Sequence, residues 1–421
     1  GFRPAITSAG GNVTLSGRGG GTGDGNVGFN QGVVVSNVGL VTAGGTGHVT
    51  VTGVGGSDSG NNHGVEVRDG GEIVSSDNGT VTVTGTGGSS TSGDNSGVTV
   101  FGVSSGGQRS AIHSVTGELV VTGTGGAHDN SAGVTVVGGG LIHGPAGRRL
   151  TIRGEGGGVG NGINIAGRSD GFHSTVSSRG GDIRFEGLGT GTGRSGMFIW
   201  DAGHIESGGD LTLVGGTLSD PNGYGLFIAD PDTRITATGD ILIDAAIRTS
   251  NVTTDFSATS LAWGGGVLVS HIGGATPETG YDQLDAEGAV ELGHIDLAGD
   301  HQPLLGENYI LISNDGVDPI AGRWFYDNRW INEGDHVPFN GALLQVSFAG
   351  GDGNDLELTA VSLLPTLNEL PHVTLPENAR AQTIDMSGIS AGGGESQPLR
   401  VTASSSSTGL IPNPTVTYTT A

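Results

Sequence analysis

The side chains that could do chemistry fall into a few small groups. His113 and His143 each follow the inward apolar residue of a strand, one repeat apart, so two imidazoles stand one above the other and could hold a transition metal. Asp201, Glu206, Asp230 and Asp232 gather at strand ends around Arg234 and could form a shallow acidic site. Phe198, Trp200, Phe227 and Asp230 set aromatic faces beside a carboxylate, a surface suited to sugar rings. Asp352, Asn354 and Asp355 place oxygens in one glycine-rich turn, as Asp315 and Asp318 do in another, and such oxygens suit Ca²⁺. The plain reading of each acidic group is a solvated corner. A polysaccharide-cleaving site would gather aspartates with arginine on the outer face of one sheet. The outward positions Val34, Glu66, Thr99, Thr135, Asn164, Phe198, Phe227 and Leu268 form no acidic cluster, so no catalytic residues are assigned and the chain reads as non-enzymatic.

The elements that must position these groups are short strands in a repeat. A first strand carries Val13/Leu15, Val49/Val51, Val81/Val83, Leu119/Val121, Leu150/Ile152, Ile183/Phe185, Leu211/Leu213 and Ile241/Ile243. A second, preceded by Gly, carries Val33/Val35, Val65/Val67, Val98/Val100, Val134/Val136, Ile163/Ile165, Met197/Ile199, Leu226/Ile228 and Val267/Val269. A third, shorter one carries Leu40, Ile73, Ile112, Ile142, Val176, Ile205 and Ile235. The i, i+2 spacing puts each apolar pair on one face, and recurrence at about 30 residues marks a solenoid. Three inward faces per repeat predict an all-β fold, a right-handed parallel β-helix with three strands per coil and about eight coils. Helical repeats fail for want of 3.6-residue periodicity, and a propeller needs four strands per blade. Runs such as Arg18–Asn30, Gly53–His63 and Gly123–Ser131 read as corner loops.

Composition agrees. Gly (86) and Pro (14) approach the level at which a chain without periodicity reads as disordered, yet the apolar residues recur at fixed offsets. The net charge of −25 comes from 42 acidic residues against 17 basic ones, all of them Arg. Such a surface repels nucleic acid and anionic lipid, and no apolar run is long enough to insert in a membrane. Cysteine is absent, which removes disulfides and thiolate metal sites. Sequons stand at Asn12, Asn78 and Asn251. With no signal peptide at its start, the chain reads as a fragment or processed form of a longer polypeptide.

The spacing lengthens over Asn251–Trp263, and aromatic residues then become frequent, from Trp263 to Phe348, as suits a cap over the open end of a solenoid. Here the segments YDQL (281–284), AVELGHIDL (289–297), NYILISNDG (308–316) and SFAGGDGNDLELT (347–359) resemble the C-terminal module of bacterial autotransporter-like β-helical repeat proteins. The resemblance implies a parallel β-helix with a β-rich end, exported, often without enzymatic function, and it offers no catalytic residues. GGDGND, with Asp352, Asn354 and Asp355, also resembles one copy of the Gly-Asp nonapeptide that binds Ca²⁺ in tandem arrays; one copy alone cannot fill the ion's coordination shell. After Pro365 the prolines crowd, and short strands are expected at 372–375, 382–386, 399–403 and 415–419. PTLNELPHVTLPENARAQTIDMSGISAGG (365–393) resembles the opening half of Ig-like or cadherin-like tandem modules, which implies a partial β-sandwich.

Three regions follow: β-helix repeats at 1–250, a β-rich cap at 251–362 and a partial Ig-like segment at 363–421. The expected function is an extracellular or cell-surface rod, structural or adhesive, whose open edges at Gly1 and in the last segment would allow end-to-end self-association by strand addition. The alternative is a carbohydrate-binding or polysaccharide-cleaving protein on the same scaffold. No cofactor is assigned, save Ca²⁺ at the turn of Asp352, Asn354 and Asp355.

Overall fold

The computed structural model describes residues 3–21, 29–58, 60–167, 172–218, 224–230, 232–249, 253–263, 267–277, 279–315, 317–392 and 398–418. They form a right-handed parallel β-helix of about nine turns, and no helix occurs among them. Three faces run the length of the stack. The first face begins with Val13–Arg18, Val49–Val54 and Val81–Thr86, the second with Val33–Val35, Val65–Arg68 and Val98–Phe101. The third begins with Ala5–Ser8, Leu40–Ala43 and Glu72–Ser75. Each strand pairs in parallel with its equivalent one coil away, so that Val81 lies between Val49 and Leu119, and Val98 between Val65 and Val134. The pairing aligns like side chains into columns. Val49, Val81, Leu119, Leu150, Ile183 and Leu211 are each fully buried, and burying one such side chain is worth about 1.5–3 kcal/mol.

The glycines fix the corner between the first and second faces. Gly53, Gly85, Gly123, Gly154 and Gly187 stack in register at the ends of the first-face strands. Each backs onto the glycine that opens the second-face strand: a Cβ on Gly53 would lie 2.0 Å from the Gly64 carbonyl oxygen, and one on Gly123 1.9 Å from that of Gly133. Only glycine permits this approach, which closes the neck of each of these corner loops while leaving loop length free. Beside the neck, Asn30 N donates to Asn62 Oδ1 at 3.0 Å, Asn62 N to Asn95 Oδ1 at 3.0 Å, and Asn95 N to Ser131 Oγ at 3.2 Å. This buried polar column satisfies backbone donors that a corner would otherwise strand.

The register departs from the sequence reading in two places. On the third face of the second coil Val41, not Leu40, pairs with Ile73 and is buried. On the second face Leu268, assigned outward, faces the core, while Val267 and Val269 are half-buried. A slip of one residue exchanges the two faces of a strand. Its cause is a coil that the reading missed: Ile247–Thr249 is the second-face strand after Leu226–Ile228, and Val267–His271 follows as the next. The lengthened spacing at 253–263 is one long strand serving two faces, with Phe256 on Ile235 and Leu261 on Ile241. Gln283–Ala298 likewise runs along all three faces, so parallel stacking continues past residue 251.

The stack ends in antiparallel pairs. Ile320–Tyr326 pairs with Arg329–Ile331, His336–Phe339 with Ala342–Gly350, and Asp355–Leu363 with both Ala342–Gly350 and Asn308–Asp315. Trp324 and Tyr309 are fully buried there, and Trp324 Nε1 donates to the Ile295 carbonyl at 2.7 Å. Beyond residue 363 the expected short strands do not form among the described residues. A single antiparallel bridge joins Thr366 and Ser390, and Leu370, Val373, Leu375 and Ile384 are exposed. Alternating apolar residues hold a strand only where a second surface buries them. The Asn251 sequon, the edge at Gly1, most of the 18–30 loop and the end of the 415–419 strand lie outside the described residues.

Candidate functional site

Outward side chains stack as strictly as inward ones, so each face of the rod carries columns of surface chemistry. On the second face the column reads Asn164, Phe198, Phe227, Arg248. Phe198 stacks on Phe227 at 5.2 Å between ring centroids and on Trp200 at 4.5 Å. Arg248 caps the row: its guanidinium lies 5.0 Å from the Tyr224 ring and 5.7 Å from that of Phe227, and it donates to Tyr224 Oη at 2.7 Å. The structure thus brings Phe198, Trp200 and Phe227 together and adds Tyr224 and Arg248, which sequence reasoning did not single out. Asp230 is placed otherwise. Its Oδ1 accepts from the backbone N–H groups of Asp232 at 2.9 Å and Ala202 at 3.3 Å, which makes it a corner cap.

The third face carries an open groove of about 470 Å³ across three coils, those of Leu141–Ala146, Thr175–Arg179 and His204–Ser207. Its floor includes His143, Ser177 and Glu206, adjacent in one outward column, and Thr175 and His204 in the next. Phe172, His173 and Arg109 all enter from the corner between the second and third faces, in loops two coils apart. Arg109 is a strap. Its guanidinium donates to the carbonyls of Gly139 at 2.7 Å, Gly140 at 2.8 Å and His173 at 2.7 Å, and to Thr175 Oγ1 at 3.2 Å. The His173 and His204 rings stack at 4.3 Å, 15° from parallel, and His204 Nδ1 lies 3.9 Å from Glu206 Oε1. Burial, with His173 alongside, lowers the His204 pKa below the ordinary imidazole value.

His113 and His143 are in register, as their spacing requires. They are not joined in one site, however. His113 Nε2 contacts Glu72 Oε1 at 2.9 Å, a carboxylate partner that the sequence reading did not find, whereas His143 Nδ1 contacts Ser177 Oγ at 2.8 Å. Burial holds the His143 pKa down to about 4, with the nearby Arg179 and His113 charges adding to it. Its Nε2 has no hydrogen-bond partner among the described residues.

The two acidic turns near the end of the chain meet. Asp352 and Asn354 lie in the hairpin between Ala342–Gly350 and Asp355–Leu363. Asp355 Oδ1 accepts from Asn314 N at 2.8 Å, and the side-chain amides of Asn314 and Asn354 both donate to the Asp318 carbonyl, at 2.6 and 3.0 Å. Burial pushes the Asp355 carboxyl up. These bonds dock the hairpin on the last coil, and no group of three or more metal-ligating side chains occurs among the described residues. Asp201 and Glu206 lie apart from this end, Asp201 at a tight corner with φ +51° and Glu206 in the groove.

The groove was the part least legible in the sequence. His143 stands out in the sequence only for its stack with His113, His204 sits at an unremarkable outward position, and Arg109, Phe172 and His173 come from corner loops of irregular length. No protein-family model matches the chain, and no curated protein is similar to it by sequence.

Proposed function

We propose that the chain is a non-catalytic rod of an exported protein, serving as a stalk or adhesin at the cell surface or outside it. The observation that supports this is the unbroken parallel stacking of three faces through about nine turns. At about 4.8 Å per coil it makes a stiff spacer near 45 Å long whose outer columns are free to vary. End-to-end joining by strand addition belongs to the same reading. The test is fractionation of the source cells with surface proteolysis, followed by electron microscopy of the isolated protein. Rods in the medium or on the surface support the reading; a cytosolic protein removes it.

A second reading rests on the stacked rings of Phe198, Trp200 and Phe227: recognition of neutral sugar rings on the second face. Titration with a neutral hexose oligomer tests it, with Phe227→Ala expected to abolish binding. Release of reducing ends from a polysaccharide panel would turn that reading into an enzymatic one.

A further inference from the structure

We infer that the groove on the third face binds an acidic saccharide, its carboxylates held by Arg179 and the groove histidines. The inference rests on the reading of the rod as exported, where such polymers are met, and its argument begins with charge. Acidic residues outnumber basic ones 42 to 17 in the whole chain. Among the groove-lining residues that balance reverses: two arginines, Arg109 and Arg179, face a single carboxylate, Glu206, and His143, His173 and His204 add imidazole hydrogen-bonding groups. A local positive site in an acidic surface selects anions by contrast with its surroundings.

The two arginines are not equally available. Arg109 spends Nε and one amino group on Gly139, Gly140, His173 and Thr175, so it builds the floor. Arg179 ends its strand, is exposed, and stands close enough to His143 for its charge to act on that imidazole. No hydrogen bond or ion pair engages it among the described residues, and a guanidinium can grip a carboxylate with two parallel bonds. His143 adds a side chain whose Nε2 has no partner among the described residues.

Shape narrows the class of ligand. The groove follows the rod axis over three coils, a run of about 10 Å at the interstrand spacing, which suits a short stretch of linear polymer. The stacked His173–His204 pair and the Phe172 ring give it flat faces for sugar rings. A peptide has no such purchase. Every strand beneath the groove is already paired on both sides, so no edge is left for main-chain addition.

The test is calorimetric titration of the full chain with a galacturonate oligomer, a neutral hexose oligomer of equal length, sodium acetate and poly-glutamate. Saturable binding of the galacturonate alone is expected. Arg179→Gln should weaken it at least tenfold, and Glu206→Gln, which removes the one opposing charge, should tighten it severalfold. Both positions are exposed, and equal thermal midpoints would show that both variants fold; should one fail to fold, the other carries the test. Galacturonate binding that is absent, or indifferent to both substitutions, overturns the proposal. Acetate or poly-glutamate binding as tightly as the galacturonate overturns the saccharide assignment. Neutral-oligomer binding reports on the second-face aromatic row alone, and fractionation reports on export alone, so failure of either reading stays separate from failure of this one.

Discussion

A Cβ on Gly85 would lie 2.0 Å from the carbonyl oxygen of Gly97, inside any allowed contact. The same pairing recurs at Gly53 with Gly64 and at Gly123 with Gly133, so one steric condition is met coil after coil. It divides the repeat into two parts. Strands outside the neck are held to a fixed register, while the loop beyond it can change length without disturbing the stack.

Gly85→Ala should therefore destabilise the rod by about 3 kcal/mol or more, because the obstructing atom is backbone and cannot swing aside. Gly20→Ala is the control, since a Cβ there meets nothing within 4 Å. Equal urea midpoints for the two variants would refute the steric account.

Asn95 holds the buried column together, accepting from Asn62 N at 3.0 Å and donating to the Ser90 carbonyl at 2.8 Å. Asn95→Ala leaves a buried N–H without an acceptor, at a cost of about 1–3 kcal/mol. Hydrogen exchange should show Asn62 N–H losing protection first; uniform loss along the rod would argue against a local role.

Acid should weaken the fold in two stages. Burial lowers the His143 pKa from 6.5 to about 4, so the unfolded chain binds the extra proton, and stability falls as pH drops from about 6.5 to 4. Glu72 is held at about 2 against its ordinary 4.5, first by its hydrogen bond with His113 and also by Arg3. Its contribution is complete above pH 4.5 and is lost as pH falls towards 2, about 1–2 kcal/mol after allowing for partial exposure. Urea midpoints measured against pH check both stages. His143→Gln should flatten the first and leave the second; an unchanged profile would contradict this assignment.

Trp324→Ala opens a cavity beneath the terminal hairpins and frees the Ile295 carbonyl, for an expected loss of about 3–5 kcal/mol. Because coils interact mainly with their neighbours, the damage should start at this end. Limited proteolysis cutting first near residues 320–350 is the expected result, and first cuts among the early coils would speak against it.

Most of the fold was legible in the sequence. Apolar pairs two apart, recurring at a near-constant interval, permit one economical solution, and Val49, Val81 and Leu119 lie in one column as that logic requires. Reading failed where the period broke. The coil at Ile247–Thr249 was missed because a long strand, Thr253–Trp263, serves two faces without a corner signal between them, and the slip turned Leu268 the wrong way. Periodicity fixes which side chains share a column, since that depends only on strand alternation and stacking. Which columns become a site is decided by the corners. Loops of unequal length bring Arg109 across to Gly139 and His173, and lay His173 on His204, through contacts between residues far apart in the chain that no spacing encodes.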